Sequence, residues 1–437
     1  MVSSYDYYIC QMELHRVLII GSGGRENALA WKISQSRFCE KLFIAPGNAG
    51  TSLLGENVEI SASDFNAIRE LILSKKISIV VVGPEDPLVN GIHDYLIKEI
   101  KNDNFIVIGP KKSGAILEGS KEFAKEFMYR HKIPTARYRT FNKKNIHEAK
   151  AFLNSLNPPY VIKADGLAAG KGVLILTDLN EAKQSLEKMI IEKKFGQASE
   201  RVVIEEYLNG IEVSSFVLTD GHSYKIFPMA KDYKRIGVGD TGLNTGGMGA
   251  ISPVPFVDQK LYQKIENQII QPTINGLKKD KIDYTGFLFI GLMIVNNEPY
   301  VIEYNVRLGD PETEAILPRI ESDLLEIFLL LKSSQLQTSN LKVSDLFSST
   351  VMTVSKGYPE KYEKGKIVNG LDCKNESFLF HSGTKIEGQN IVTSGGRVIA
   401  VTSMDKDLKI ALEKSYNTIS KIDFDGKTFR NDIGFDL

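Results

Sequence analysis

Cysteine is scarce in this 437-residue sequence. Cys10, Cys39 and Cys373 are far apart and odd in number, which excludes a disulfide framework and a cysteine-based zinc pattern. Such usage fits a reducing cytosol, and hence a cytoplasmic location. Net charge is missing as well. Lys plus Arg and Asp plus Glu each number 54, so no overall field draws the chain to nucleic acid or to a membrane surface. Any basic site must be local. No apolar run approaches the roughly 18 residues of a membrane helix, and Ile77–Val82 is among the longest. Residues 1–13 lack a basic start, an apolar stretch and a small-residue cleavage site. They read as a disordered extension rather than a signal peptide, with Met12 as an alternative start. There is no internal repeat, no low-complexity tract, and no Ser–His or Cys–His arrangement for covalent catalysis.

What is present is ordinary for a globular protein: 42% apolar and 25% charged residues, enough to bury a core without staples. The length suggests three or four modules. Over residues 14–115, short β-branched runs alternate with helix signals, as in a buried parallel sheet. Strands are expected at Arg16–Ile20, Lys41–Ile44, Ile77–Val82 and Phe105–Ile108, with a helix at Glu26–Ser34. The carboxyl ends of such strands bind ligands. Here they carry Gly21–Glu26, Pro46–Gly50 and Gly83–Pro87. One helix is expected over residues 116–133, opening near Ser120. Strands follow at Tyr160–Ala164, Val173–Leu176 and Arg201–Glu205, with a helix near Glu181–Glu192. A long Gly-rich loop is expected at residues 237–249, a strong helix after Pro311, and a strand-rich segment over 350–437. The fold class is α/β and α+β multidomain.

Several constellations carry chemistry. Gly166-Leu-Ala-Ala-Gly170-Lys171-Gly172 is not a P-loop, because its second glycine comes early and Gly172 replaces Ser/Thr. Two strands flank it, so it reads as a hairpin whose N–H groups cover phosphates, with Lys163 and Lys171 neutralising charge. Taken alone, it reads equally as an ordinary flexible hairpin. Gly21-x-Gly23-Gly24-Arg25-Glu26 follows a strand and opens a helix, but Glu26 stands where a dinucleotide fingerprint needs glycine. An anion seat, such as one for a substrate phosphate, fits better than NAD. In Pro299–Arg307, strand alternation sends Glu303, Asn305 and Arg307 to one face. Such groups on a buried strand are costly unless they meet charge, and hard oxygen donors suit Mg²⁺. Asp310 and Pro311 are a good N-cap and first helical residue. Asp232–Gly249 concentrates glycines among charged groups, which marks a functional loop rather than a linker. The acids Glu205, Glu206 and Glu212 at a strand exit suit an adenine amino group and ribose hydroxyls, and equally suit solvent.

In this order the motifs resemble the ATP-grasp superfamily and, more closely, the phosphoribosylamine–glycine ligase family. The likeness runs from about Leu14 to Phe435 and also rests on Gly83–Leu88, Leu117–Lys121, Asn244–Gly249, the Gly309–Glu312 run after Arg307, and Arg430–Gly434. It implies an ATP-grasp core between an N-terminal parallel-sheet substrate domain and a C-terminal β-rich domain. The corresponding division is 14–117, 118–205 for the lid, 206–340 for the large subdomain, and 341–437.

The resemblance further implies that Lys121 and Lys163 contact phosphates while the hairpin 166–172 closes over them. Glu205, Glu206, Tyr207 and Leu208 would hold adenine, and Glu212 ribose. Glu303 and Asn305 would bind the metal, Mg²⁺ or Mn²⁺, with ATP as co-substrate. Gly23, Gly24, Arg25, Glu26, Asn48, Gly50, Glu85, Asp86, Lys234, Arg235, Asn244, Gly246, Gly247, Met248, Gly309 and Asp310 would surround phosphoribosylamine and glycine. The implied chemistry is phosphorylation of glycine followed by amide formation, with Lys163, Lys171, Arg307 and metal offsetting charge and Asp232 orienting or deprotonating the amine. Expected partners are ATP, glycine and 5-phosphoribosylamine, without nucleic acid or membrane, on a monomer or small homo-oligomer. Leu308 and Leu243 depart from the family's usual Phe and Pro as tolerable packing changes. Gly286–Val295 has no carboxylate, so the preceding strand offers no further metal ligand. Rival readings are an ATP-grasp ligase for another acid or amine, a catalytically silent nucleotide-binding regulator, and a dinucleotide-dependent oxidoreductase.

Overall fold

The computed structural model describes residues 13–168, 171–372 and 376–437. Most of the expected 1–13 extension, Gly170 of the hairpin, Cys10 and Cys373 lie outside the described residues. The N-terminal sheet is parallel and five-stranded, in the order Glu56–Asn57, Cys39–Pro46, His15–Gly21, Ile79–Val82, Ile106–Ile108. Both faces are covered, so Ile79–Val82 is buried throughout, as its unbroken Ile/Val run requires.

A second, four-stranded antiparallel sheet runs Tyr138–Asn142, Arg201–Glu205, Tyr160–Ala164, Val173–Leu176. Helices Ile146–Asn154 and Leu179–Ile190 pack on it, and their apolar residues form a separate core with Phe141, Ile162 and Val202. The third sheet is antiparallel and runs Glu298–Asn305, Gly286–Val295, Ile211–Thr219, Tyr224–Asp232, Gly249–Ser252, Phe347–Ser355, Arg397–Asp405, Phe378–His381. It is continuous through the pairing of Gly249–Ser252 with Phe347–Ser355, so strands before and after residue 340 share one sheet.

Five local expectations need correction. The single helix over 116–133 is two, Lys112–Gly119 and Lys121–Arg130. Ser120 between them is extended and its hydroxyl accepts a hydrogen bond from Phe123 N at 3.1 Å, restarting the helix. Asp310 is not a helix cap: Pro311 holds that place before the five-residue helix Glu312–Ile316. That helix is short because Pro318 follows, in a 3₁₀ turn at Leu317–Arg319. The Gly-rich segment 237–249 is partly a hairpin, with Arg235–Gly237 paired to Thr241–Asn244. The strand-rich C-terminal segment also contains a helix, Leu408–Ile419.

The parallel sheet meets the long sheet backbone to backbone. Gly109 N donates to Thr285 O at 3.0 Å, and a Cβ on Gly286 would lie 2.7 Å from Gly109 N. Gly286 also has a φ of +133°, which side chains rarely adopt. Gly286→Ala is therefore expected to lose about 2 kcal/mol or more of stability. Urea unfolding checks this, and an unchanged midpoint would contradict the tight crossing.

Candidate active site

The three sheets converge on a cleft of about 780 Å³. Its floor is the strand Glu298–Asn305 and the chain just after it. A register shift opposite Gly291 and Leu292 precedes Glu303, and Glu303, Asn305 and Arg307 all line the cleft. Burial would raise the pKa of Glu303, but Lys234, Lys163, Lys121 and Arg307 hold it below the usual carboxylate range. Asn305 accepts from Arg307 Nη2 at 3.3 Å through its amide oxygen, and its buried Nδ2 has no hydrogen-bond partner among the described residues. A stably ionised carboxylate beside an amide oxygen fits a hard divalent cation. Among the described residues no cluster of three or more His, Cys, Asp or Glu is arranged to hold a metal. The pair would thus need phosphate and water oxygens to complete the shell.

Arg307 is locked on every side. Nε meets Glu85 at 3.1 Å, Nη2 meets Glu118 at 2.9 Å, and Nη1 donates to Leu308 O at 3.2 Å. Glu118 also accepts from Val306 N at 2.7 Å. Burial pushes its carboxyl up to about 7 even though Arg307 pulls it down. Sequence reasoning placed Glu118 in a family motif but gave it no role; an acid within an apolar helix face was the available signal.

The lysines arrange themselves around Glu205. Lys163 Nζ lies 3.0 Å and Lys125 Nζ 3.1 Å from the same carboxylate oxygen. Lys163 also donates to Ile302 O at 3.2 Å, and Lys125 to Thr135 Oγ1 at 2.7 Å. All three charged groups are buried. Burial lowers Lys125 to about 8, partly offset by Glu205. The lysines thus occupy one oxygen of the Glu205 carboxylate, while Oε1 has no hydrogen-bond partner among the described residues and Glu205 lines the cleft. Lys121 opens its helix at the cleft wall, and burial lowers its pKa. Lys171 and Gly172 line the same wall. Gly166 packs on Ala198 outside the lining. Glu206 accepts from Arg137 N at 2.8 Å and, with Tyr207, borders a separate depression beside Pro158 and Pro159. Half-buried Leu208 does not line the cleft either. Glu212 pairs with Lys234 at 2.7 Å.

Asp232, Lys234, Asn244 and Gly246 form the opposite wall. Burial pushes the Asp232 carboxyl up to about 7, although Lys234, 3.9 Å away, pulls it down. The Asn244–Gly247 turn is held by the C-terminal segment. Tyr358 OH accepts from Gly246 N at 2.9 Å, and Arg397 Nη1 donates to Gly246 O at 2.6 Å. The same nitrogen reaches Asp310 O at 2.7 Å and the Asp310 carboxylate at 3.0 Å. Tyr358 and Arg397 both line the cleft, and sequence reasoning missed both; for Arg397 the only hint was the Gly395-Gly396 turn. Gly247 must lack a Cβ, which would lie 2.3 Å from Pro311 Cδ. Met248 is core, and Arg235 turns to Gly242 O, outside the lining.

From the N-terminal sheet, Arg25 and Glu85 reach the cleft, as do Gly309 and Asp310 from the far side. The expected phosphate seat at Gly23–Glu26 is partly filled by the protein itself. Gly23 N donates to Glu26 at 2.6 Å and Arg25 N to Asp310 at 3.3 Å. Asn48 holds loops together, donating to His381 O at 2.7 Å and accepting from Gly50 N at 2.9 Å. A Cβ on Gly50 would meet Asn27 and His381, and one on Gly24 would meet Glu314. Asp86 is not among the lining residues.

Comparison with known proteins turns this geometry into a family. Residues 15–118, 119–313 and 348–436 match the N domain, the ATP-grasp (A) domain and the C domain of phosphoribosylglycinamide synthetase. The chain belongs to the phosphoribosylglycinamide synthetase family. A phosphoribosylamine–glycine ligase of Chlorobaculum tepidum is 44% identical over 96% of this chain and 99% of its own length. A bifunctional purine biosynthetic protein of Pichia angusta is 44% identical over 97% of this chain, which spans 54% of that protein. The crystal structure of the Thermotoga maritima phosphoribosylamine–glycine ligase superposes with a TM-score of 0.83 at 35% identity, covering 95% of this chain and 99% of that one. A biotin carboxylase domain from Hydrogenobacter thermophilus matches with a TM-score of 0.72 at 14% identity over 96% of this chain and 92% of its own, a likeness of fold alone. The synthetase family therefore accounts for the three-sheet architecture as well as for the motifs.

The shared Glu205 gives a stability test. Glu205→Gln leaves two buried lysines without their counter-charge, and such a loss costs about 3 kcal/mol. Guanidinium unfolding should register it; a change under about 1 kcal/mol would show that the lysines are neutralised elsewhere.

Proposed function

We propose that this chain joins glycine to 5-phosphoribosylamine at the expense of ATP, giving glycinamide ribonucleotide, ADP and phosphate in purine biosynthesis. The observation that carries the reading is the cleft itself. It gathers Glu303 and Asn305 with Lys121, Lys171, Lys234 and Arg307, the charge set that transfer of a phosphoryl group to a carboxylate needs.

The carboxylate of glycine attacks the γ-phosphorus of ATP, and ADP leaves. The amine nitrogen of phosphoribosylamine then attacks the acyl carbon of glycyl phosphate, the C–O bond to phosphate breaks, and the nitrogen loses a proton. Lys121, Lys163 and Lys171 offset charge on the phosphates under the 166–172 hairpin, which also excludes water. Arg307, fixed by Glu85 and Glu118, lends its positive charge to the substrate carboxylate or its phosphate. Glu303 and Asn305 would hold Mg²⁺ or Mn²⁺, which supplies further neutralisation of phosphate oxygens. Adenine contacts fall to Glu205, Glu206 and the Tyr207–Leu208 backbone, and ribose to Glu212. Arg25, Glu85, Asn244, Gly246 and Asp310 surround the small substrates, and Asp232 accepts the amine proton. No described helix is long and apolar enough to cross a membrane, and a cytoplasmic enzyme is part of the same proposal.

Omitting substrates one at a time tests the assignment. ADP release should require both glycine and phosphoribosylamine for full turnover, and hydroxylamine should trap the glycyl group as its hydroxamate. Turnover independent of glycine would sink the reading.

The proton role of Asp232 predicts a pH dependence. A base must be ionised, and this carboxyl is pushed up to about 7. The value of kcat/KM should therefore rise with pH through about 7. Asp232→Asn should lower activity by about 100-fold and remove that limb. An unchanged limb in the variant would assign the titration to another group.

A further inference from the structure

Glu314 is a fully buried acid to which the proposed chemistry gives no role. It sits on the short helix Glu312–Ile316, four residues past Asp310 and 0% exposed. Its carboxyl fills the space that Gly24 leaves: a Cβ there would fall 2.1 Å from Glu314 Oε1. Neither oxygen has a hydrogen-bond partner among the described residues when both acids count as acceptors. An ionised carboxylate in such a place is strongly disfavoured.

Asp310 is differently served. Arg397 lies 3.0 Å from its carboxylate, and Arg25 N donates to it at 3.3 Å. Together with the Arg25 charge they hold Asp310 below the usual range against burial. Glu314 is raised by burial first and by Asp310 next, with Arg397 giving partial relief. The two carboxyl groups sit over the same turn: a Cβ on Gly23 would lie 3.2 Å from Asp310 Oδ2 and one on Gly24 2.1 Å from Glu314 Oε1, and each acts on the other's protonation. One donor is missing from this pair, and a proton supplies it.

We propose that Glu314 is a positioning residue that acts as a neutral acid, donating a hydrogen bond to the Asp310 carboxylate from behind. Arg397, Arg25 N and Glu314 then fix Asp310 from the protein side, at a place where it lines the cleft. An ionised, oriented carboxylate there suits an ammonium group or a sugar hydroxyl of a small substrate. Gly24 on this account is a glycine because the acid needs its space, not because a ligand approaches the backbone.

The kinetic test rests on the ligase reading, and an infrared test does not. Glu314→Gln keeps both length and a donor. Glu314→Met keeps length and removes the donor. The Gln variant should rescue activity to within about threefold of wild type, since one neutral donor replaces another. The Met variant should raise KM for glycine or phosphoribosylamine by roughly tenfold or more, the scale of a lost hydrogen bond to an ionised group, with KM for ATP unmoved. The infrared difference spectrum of wild type minus Glu314→Gln should contain a protonated-carboxyl carbonyl band. A Gln variant as impaired as the Met variant would overturn the neutral acid, as would absence of that band. Unchanged KM values in the Met variant would overturn the positioning role. If the Met variant fails to fold, the Gln variant and the spectrum still decide. If wild type shows no ligation, the ligase reading fails and the spectrum alone judges the protonation state.

Discussion

Arg307 is a largely enclosed guanidinium, its side chain 16% exposed, and a cation so placed must be paired or be expelled. Its partners come from separate parts of the fold: Glu85 from the end of the parallel sheet, Glu118 from the helix before Ser120, and Asn305 from the long antiparallel sheet. Satisfying one cation thus ties together, by charge, three elements that also share one apolar core. The same logic recurs around Glu205, where two lysines from different elements meet one carboxylate. It recurs again at Asp310, which gathers Arg397 and the Arg25 backbone. The cleft is a set of compensated charges, and Lys121 and Lys171 add further positive charge to its lining.

This arrangement explains which parts were legible in the sequence. Strands such as Tyr160–Ala164, Val173–Leu176 and Arg201–Glu205 were read with their observed bounds, because β-branched runs between turn residues have few alternatives. The parallel sheet was legible for the same reason. Strand alternation placed Glu303, Asn305 and Arg307 on one cleft wall because the register shift at Gly291 comes before Glu303. Ser120 was less transparent. A helix pattern runs smoothly through it, and only the tertiary hydrogen bonds from Ser120 Oγ and Glu122 N to Asp165, at 2.9 and 2.8 Å, break the run.

The harder losses are long-range pairings. The strand exit with two acids marks Glu205 as a nucleotide ligand, but no local rule reveals that Lys125 and Lys163 also converge on it. Arg397 lies 87 residues beyond Asp310 in the chain, and nothing near it in sequence announces an acid partner. The glycines divide in a similar way. Gly172 lies on the cleft wall, whereas Gly24 and Gly247 are small because a side chain or a proline ring occupies the space in front of them. A Gly-rich motif is therefore a statement about crowding as much as about ligand access.

The four-stranded sheet has a core of its own, and every residue of that core and every apolar residue packed on it lies between positions 141 and 204. Its links to the rest include polar ones: Lys163 to Ile302 O, Glu205 to Lys125, and Asp165 to the start of the Lys121 helix. Such a unit can swing away while its interior stays packed, exchanging polar contacts for water at small net cost. Amide exchange at those junctions should be faster than within either core, and the entry and exit of nucleotide would then draw on hinge motion rather than on partial unfolding.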